Sequence, residues 1–471
     1  MERKIKIFSF AAILMLAVSV IGCKHNVTNN TPETCSVTFS VDGTGGTLKA
    51  KVEGGSEINS GNTVEHGKIV TFTAEPSDNY EVDKWTITGG AFETGTGIGG
   101  STTAKVKITA TVNITVSFKL KNYTVTFSVD GAGGTLKATV DGSEINPGNI
   151  VEHGKTVTFT AAPTAGYKVK GWTLDGNAVN GTNPSYTHTI TQAVNVTVSF
   201  EPGEAVLTLE AGKNTVKVRA KTADGKPIVV KGCNVETLAN DTETTLTAKE
   251  AGTQITLQGT ITELNCGLTQ LTALDVSGLT ALQELICNNN DQLTALNVQG
   301  CTTLKVLNCR YNQLAELDVS GLTELQELIC NDNKIPELNV QGLTKLQQLK
   351  CGANQLSTLN VQGLTALQTL NCANNQLPAL DVQGCTALKK LECFQNKLNA
   401  DVFTKLFNDL PKWEESDGAK AILYIEKTGV PEGNCKDFTT PESLKKAFED
   451  AKNIKHWNMQ KIGGIGFPSD I

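Results

Sequence analysis

Cysteine recurs at Cys266, Cys287, Cys309, Cys330, Cys351, Cys372 and Cys393, at intervals of 21 residues with a single interval of 22. Six of these cysteines are followed three residues later by an asparagine: Asn290, Asn312, Asn333, Asn354, Asn375 and Asn396. A repeated cysteine can form disulfides, ligate a metal, act as a nucleophile or simply fill a core. Zinc needs four converging ligands, usually with a close C-x2-4-C pair, and a 21-residue spacing along one face supplies neither. Adjacent parallel strands lie about 4.8 Å apart. Parallel Cβ vectors at that spacing miss the ~3.5–4.5 Å that a disulfide takes up, and seven is an odd number. Packing remains, because free cysteine behaves as a small, readily buried hydrophobe. Cys301 and Cys385 replace a leucine of the same frame and read the same way, whereas Cys35, Cys233 and Cys435 stand outside it.

Other chemistry is sparse. The chain contains no H-E-x-x-H and no G-x-S-x-G, and its five histidines are scattered. The run GTGIGG at 95–100 resembles a phosphate-binding loop, but no helical pattern follows it. His66 and His153 occupy equivalent places in a duplicated segment, one per copy, and read as turn residues beside glycine rather than as ligands. The expectation is therefore no enzyme, no cofactor and no metal. A formal net charge of −7 supplies no basic stripe, so no nucleic-acid partner is expected.

The elements that position the cysteines follow from the full frame, L-x-x-L-x-C-x-x-N-x-L-x-x-L-[ND]-V-[QS]-G-[LC]-T-x, which runs from about 261 to 399. This frame is similar to the leucine-rich repeat, with cysteine at the third leucine. One coil cannot bury its own leucines, so neighbours must stack. Period-two alternation in a short strand sends Leu328 and Cys330 inward and Glu327 and Ile329 outward. By that rule the concave face carries Ile286, Val306, Arg310, Tyr311, Ile329, Lys350 and Phe394. Ile286, Val306 and Ile329 come from successive coils and are expected to line up as one apolar stripe, a candidate binding patch. The asparagines would serve backbone groups at the turn out of each strand.

Residues 35–122 and 123–203 form two copies of another unit. VTFSVDGTGGTLKAKV returns as VTFSVDGAGGTLKATV, VEHGKIVTFTAEP returns as VEHGKTVTFTAAP, and each copy holds one tryptophan, Trp85 or Trp172. Alternating β-branched residues punctuated by glycine predict strands without an amphipathic helix. These units resemble the divergent B-repeats of internalin-type bacterial surface proteins. Residues 204–260 are expected to be β structure capping the first coil, with a turn at Asp224-Gly225. Residues 400–471 resemble the α/β cap of bacterial leucine-rich-repeat proteins, with a helix spaced through Val402, Leu406 and Leu410 and another begun by Thr440 and Pro441.

The first 22 residues carry Arg3, Lys4 and Lys6 ahead of the apolar run FAAILMLAVSVIG, which is short for a spanning helix and suits a signal segment. VIGC at 20–23 resembles the bacterial lipoprotein box, which implies lipid on Cys23; the alternative is an ordinary cleaved signal with an incidental cysteine. Residues 23–34 read as a flexible tether. Lys24 rather than aspartate follows the cysteine, so the expected location is the outer membrane, facing outward by resemblance. The expected fold is mainly β: two small β modules, then a solenoid of 21-residue coils. Two function classes follow. One is a lipid-anchored surface protein whose solenoid binds a protein or glycan on host or bacterial cells. The other is a structural spacer with no specific ligand.

Overall fold

The computed structural model describes residues 32–463 and 467–471. Cys23 and the apolar segment before it lie outside the described residues. The chain is mainly β and divides into two compact units. Of the described residues, one unit comprises 32–127 with 138–159 and 187–195, and the other 128–137, 160–186, 196–463 and 467–471.

In the first unit, residues 34–120 form two four-stranded sheets. In one, Thr34–Asp42 runs parallel to Val112–Leu120 and antiparallel to the short Thr63–Glu65. The other is antiparallel throughout, built on Gly46–Val52, Ile69–Pro76 and Thr103–Lys107. Alternate residues such as Val37, Val70, Phe72, Val106 and Val116 are fully buried, as period two requires. The indole Nε1 of Trp85 donates to Ser101 O at 2.8 Å, so this ring is packed and also satisfied. GTGIGG lies in the loop between Tyr80–Thr88 and Thr103–Lys107, and the segment after it is a strand.

The second copy repeats the local devices of the first. Asn122–Asp130 pairs antiparallel with Asn149–Glu152. Tyr167–Leu174 pairs antiparallel with Val194–Pro202, with a register shift between Val169 and Gly171 that matches the one between Val82 and Lys84. Trp172 Nε1 donates to Asn183 O at 2.8 Å. The backbone N–H of His66 donates to Glu33 O and that of His153 to Lys121 O, each at the start of a glycine turn.

In the second unit, residues 204–260 feed two different sheets. Glu204–Leu209, Ile228–Lys231 and Gln254–Gln258 belong to a six-stranded sheet, and Thr215–Thr222 joins a twelve-stranded one. The turn at Asp224-Gly225 is present, with Gly225 at φ 70. It does not close a hairpin, since Thr215–Thr222 pairs with Thr244–Thr247 and Ile261–Asn265 while Ile228–Lys231 pairs elsewhere.

From Ile261–Asn265 onward, one short strand per coil joins a parallel ladder: Glu284–Ile286, Val306–Asn308, Glu327–Ile329, Gln348–Lys350, Thr369–Asn371 and Lys390–Glu392. Each central leucine is buried to 1% exposure or less, and each such side chain contributes roughly 1.5–3 kcal/mol. The opposite side begins as a regular sheet through Leu271–Asp275 and Ala295–Asn297. It then continues as extended chain, with an isolated bridge between Asn360 and Asp381.

After the ladder, helix α1 (Ala400–Asp409) is capped by Asn399, whose Oδ1 accepts from Val402 N at 3.0 Å. It buries Phe403, Leu406 and Phe407. Val402 is half-buried and Leu410 follows the helix as its C-cap. Lys420–Ile425 and Asn458–Ile462 extend the ladder in parallel, and Pro468–Asp470 ends it antiparallel. Helix α2 (Glu442–Asn453) has Pro441 rather than Thr440 as its N-cap, and no side chain caps it.

Candidate binding face of the parallel ladder

The seven repeated cysteines are each 0% exposed and each a free thiol. Burial pushes the thiols of Cys266, Cys330 and Cys372 up to about 12. It drives Cys287, Cys309, Cys351 and Cys393 well above the usual 9.0, and neighbouring thiols add to the effect. Nucleophilic attack and metal ligation need the thiolate, and this ladder offers protonated sulfur. Cys301 and Cys385 are buried too, donating to Val276 O at 3.2 Å and Val361 O at 3.1 Å. Outside the frame, Cys35 and Cys233 are buried, and half-buried Cys435 donates to Asp437 O at 3.1 Å.

The asparagines form a second ladder beside the thiols. Asn333 Nδ2 donates to Cys309 O and Cys330 O, both at 3.0 Å, and its Oδ1 accepts from Leu314 N at 3.0 Å. Asn354, Asn375 and Asn396 repeat the pattern one coil further on each time. From Cys287 onward each cysteine carbonyl thus receives two amide donors, one from its own coil and one from the next. Asn290 keeps the regular acceptor role, with Oδ1 accepting from Leu271 N, whereas Asn312, which follows the inserted Asp291, accepts from Asn290 N instead. An eighth rung, absent from the sequence reading, is Asn434. It donates to Cys393 O at 2.8 Å and accepts from Leu398 N at 2.9 Å. Thr269 stands in at the first coil, with Oγ1 donating to Cys266 O at 2.6 Å.

Strand register sorts the outward residues into two rows. Glu284, Val306 and Glu327 are mutual neighbours three positions before the cysteines. Ile286, Asn308 and Ile329 are neighbours one position before them. The expected continuous apolar stripe is therefore not present. Asn308 separates the two isoleucines in their row, and Val306 sits in the other row between two glutamates. The three apolar side chains form a zigzag across successive strands, and all three are half-buried rather than exposed. The error came from treating every outward position near a cysteine as equivalent, whereas positions two apart occupy separate rows.

Lys350 shares the row of Ile329, one strand on, and is half-buried. Arg310 and Tyr311 follow Cys309 as the strand ends. Tyr311 is 46% exposed, and the guanidinium lies 5.6 Å from its ring centroid. Phe394 holds the place of Arg310 four coils later and is half-buried. The position two after each cysteine is left-handed in every coil, including Leu268 at φ 58 and Tyr311 at φ 55. Bulky residues seldom occupy that region. The signal was invisible in sequence because the residue type changes from coil to coil.

On the opposite side lies a groove of about 550 Å³ whose walls include Glu337, Gln341, Ser357, Gln362, Pro378 and Asp381. The repeated glutamines of the NVQG segments bridge coils there: Gln341 Nε2 donates to Asn360 O at 2.9 Å and Gln362 Nε2 to Asp381 Oδ2 at 3.0 Å.

The sequence profile of the divergent InlB B-repeat domain matches residues 36–122 and 123–204. No curated protein matches the chain. Among solved structures, the functional domain of InlJ from Listeria monocytogenes, described as including a cysteine ladder, is 33% identical over 34% of this chain and 33% of that one, with a TM-score of 0.29. A leucine-rich-repeat protein of Leptospira interrogans is 21% identical over 39% of this chain and 50% of that one, TM-score 0.29. An internalin, InlF, of Listeria monocytogenes is 23% identical over 36% and 54%, TM-score 0.27. The matches thus span between a third and just over half of those chains. Two matches to the divergent InlB B-repeat domain thus stand in tandem, at 36–122 and 123–204, ahead of a ladder of leucine-rich coils.

Proposed function

We propose that this chain is a lipid-anchored bacterial surface protein whose leucine-rich solenoid binds a protein on host or other bacterial cells. In this reading Cys23 carries the lipid at the outer membrane and the two B-repeats separate anchor from solenoid. The ladder from about 261 to 399 is the recognition element, closed by 204–260 and 400–471. The observation that carries the reading is the composition of the strand face around its third coil. Ile286, Val306 and Ile329 come from three successive strands of one face, in its two rows, and the exposed Arg310–Tyr311 pair ends the middle strand. Tyrosine and arginine, next to apolar side chains that can be fully desolvated, are the residue types that dominate protein interface energetics. A purely structural ladder has no need of them on its solvent face.

Capture from surface extracts tests this. The full chain with Cys23→Ala, immobilised and exposed to host-cell and bacterial surface proteins, should enrich a defined partner that Ile286→Asp with Ile329→Asp fails to enrich. A spacer would enrich nothing, and that result would overturn the proposal. Anchoring is tested separately. Cys23→Ala should release the protein from the membrane fraction or leave the precursor unprocessed, and unchanged detergent partitioning would refute lipidation.

A further inference from the structure

The strand face changes character along the ladder. Its later strands carry Lys350, Lys390 and Lys420 on the outward side. Lys390 and Lys420 are register partners on adjacent parallel strands, so two like charges stand directly opposite one another. Both are exposed, and no salt bridge among the described residues involves either of them or Lys350. Like charges placed directly opposite on a sheet are destabilising. Glu392, two positions along the strand from Lys390, stands in the other outward row with Lys350 and Asn371 and accepts from Asn371 Nδ2 at 2.6 Å; it forms no salt bridge with either lysine of the pair. Lys389, beside the pair, is already neutralised by Asp417 at 2.9 Å, which shows that this region can supply a counter-ion and does not supply one to Lys390 or Lys420. Lys420 also lines a cleft of about 520 Å³, together with Glu415, Lys452, Asn453, His456 and Asn458. Asn458 is the register partner of Lys420, so row and cleft are continuous.

We propose that Lys390 and Lys420, with the cleft beyond them, form a subsite that seats an acidic, aspartate- or glutamate-rich segment of the protein partner. The inference rests on the strand face being the binding face and adds the chemistry of what meets its later half. Charge complementarity carries it: a carboxylate between the two ammonium groups relieves their repulsion and forms charge-assisted hydrogen bonds. An extended acidic segment lying across the strands would meet Lys390, then Lys420, and continue into the cleft.

The test uses a fluorescein-labelled deca-glutamate and the full chain with Cys23→Ala, read by fluorescence anisotropy at about 50 mM salt, where surface charges are weakly screened. Lys390→Glu with Lys420→Glu should weaken binding at least about tenfold, while Lys390→Arg with Lys420→Arg should stay within about twofold of the parent. Binding should also fall with added salt. If deca-glutamate does not bind, or charge reversal leaves it unchanged, the subsite is wrong. If an oligogalacturonate of equal charge binds as tightly as the peptide, the assignment to a protein segment is overturned. The two readings separate cleanly. Loss of the captured partner in Ile286→Asp/Ile329→Asp together with lysine-independent peptide binding would sink the subsite alone. Capture that ignores both pairs would sink the binding face itself.

Discussion

Replacing Asn333 by alanine should cost the ladder about 2–4 kcal/mol. The figure follows from the hydrogen bonds at this rung. Leu314 N has Asn333 Oδ1 as its acceptor at 3.0 Å and would be left buried without a partner, at roughly 1–3 kcal/mol. Cys309 O and Cys330 O would each fall from two donors to one, since Asn312 Nδ2 still serves the first and Asn354 Nδ2 the second; each lost bond is worth about 0.5–1.5 kcal/mol. Some relaxation holds the total below the simple sum. Urea unfolding followed by tryptophan fluorescence is the assay, in a background with Trp85→Phe and Trp172→Phe. Trp413 and Trp457 then report on the end of the ladder, because their indoles donate to Leu388 O and Pro411 O. Asn333→Asp should be worse than alanine at neutral pH, since a carboxylate would face two carbonyls. It should recover as the pH falls, because burial raises that carboxyl's pKa and its protonated form is the one the fold tolerates. A loss under about 1 kcal/mol for Asn333→Ala would refute the reasoning, being no more than an ordinary surface change.

Other outcomes follow from the same geometry. Cys330→Ser should destabilise by roughly 1–3 kcal/mol, and Cys330→Ala by less, because a hydroxyl would be buried without a designed partner. Thiol labelling of the native chain, read by mass spectrometry, should modify half-buried Cys435 first and the seven ladder cysteines only after denaturation; a bond between Cys330 and Cys351 would contradict this. Since the Cys330 thiol is pushed up to about 12 from 9.0, its contribution is fully present below pH 9.0 and lost as the pH rises toward 12, so the urea midpoint should fall across that window, less steeply in Cys330→Ala. Gly203→Ala should destabilise the handover from Val194–Pro202 to Glu204–Leu209 by about 1–3 kcal/mol in thermal unfolding, because the added Cβ would lie 1.9 Å from Gly278 O.

Much of the ladder was legible because its chemistry repeats with its spacing. Leu328 and Cys330 inward, Glu327 and Ile329 outward, and asparagine at the turn all follow from period two and the need to satisfy buried backbone. The eighth rung escaped notice because Asn434 follows Asn396 after helix α1 and a strand rather than after 21 residues, and because Leu423 replaces cysteine in the core there. Row membership of Val306 was legible from spacing, since it lies three positions before Cys309 while Ile286 and Ile329 lie one before theirs, and positions two apart occupy separate rows. The lysine pair was not legible that way, since Lys390 and Lys420 are 30 positions apart and only the excursion through α1 makes them partners. At Asp224-Gly225 the turn chemistry was readable, but the destination of the following strand was not, since Ile228–Lys231 pairs with Gln254–Gln258 rather than with the strand before the turn.

The glutamines of the NVQG segments are poor negative controls for the binding face, because they bridge coils and line the opposite groove. Thr344 and Thr365 are exposed and serve better. The most direct test of the central claim is the affinity of the captured partner for Ile286→Asp with Ile329→Asp, measured beside Thr344→Glu with Thr365→Glu. A charge placed in a desolvated interface has no counter-ion, so binding to the isoleucine variant should fall by at least about 100-fold. Its thermal midpoint should hardly move, since both side chains point away from the core, and the threonine variant should bind as the parent does. Binding that survives in the isoleucine variant, or is lost in the threonine variant, would contradict the assignment of the strand face as the recognition surface.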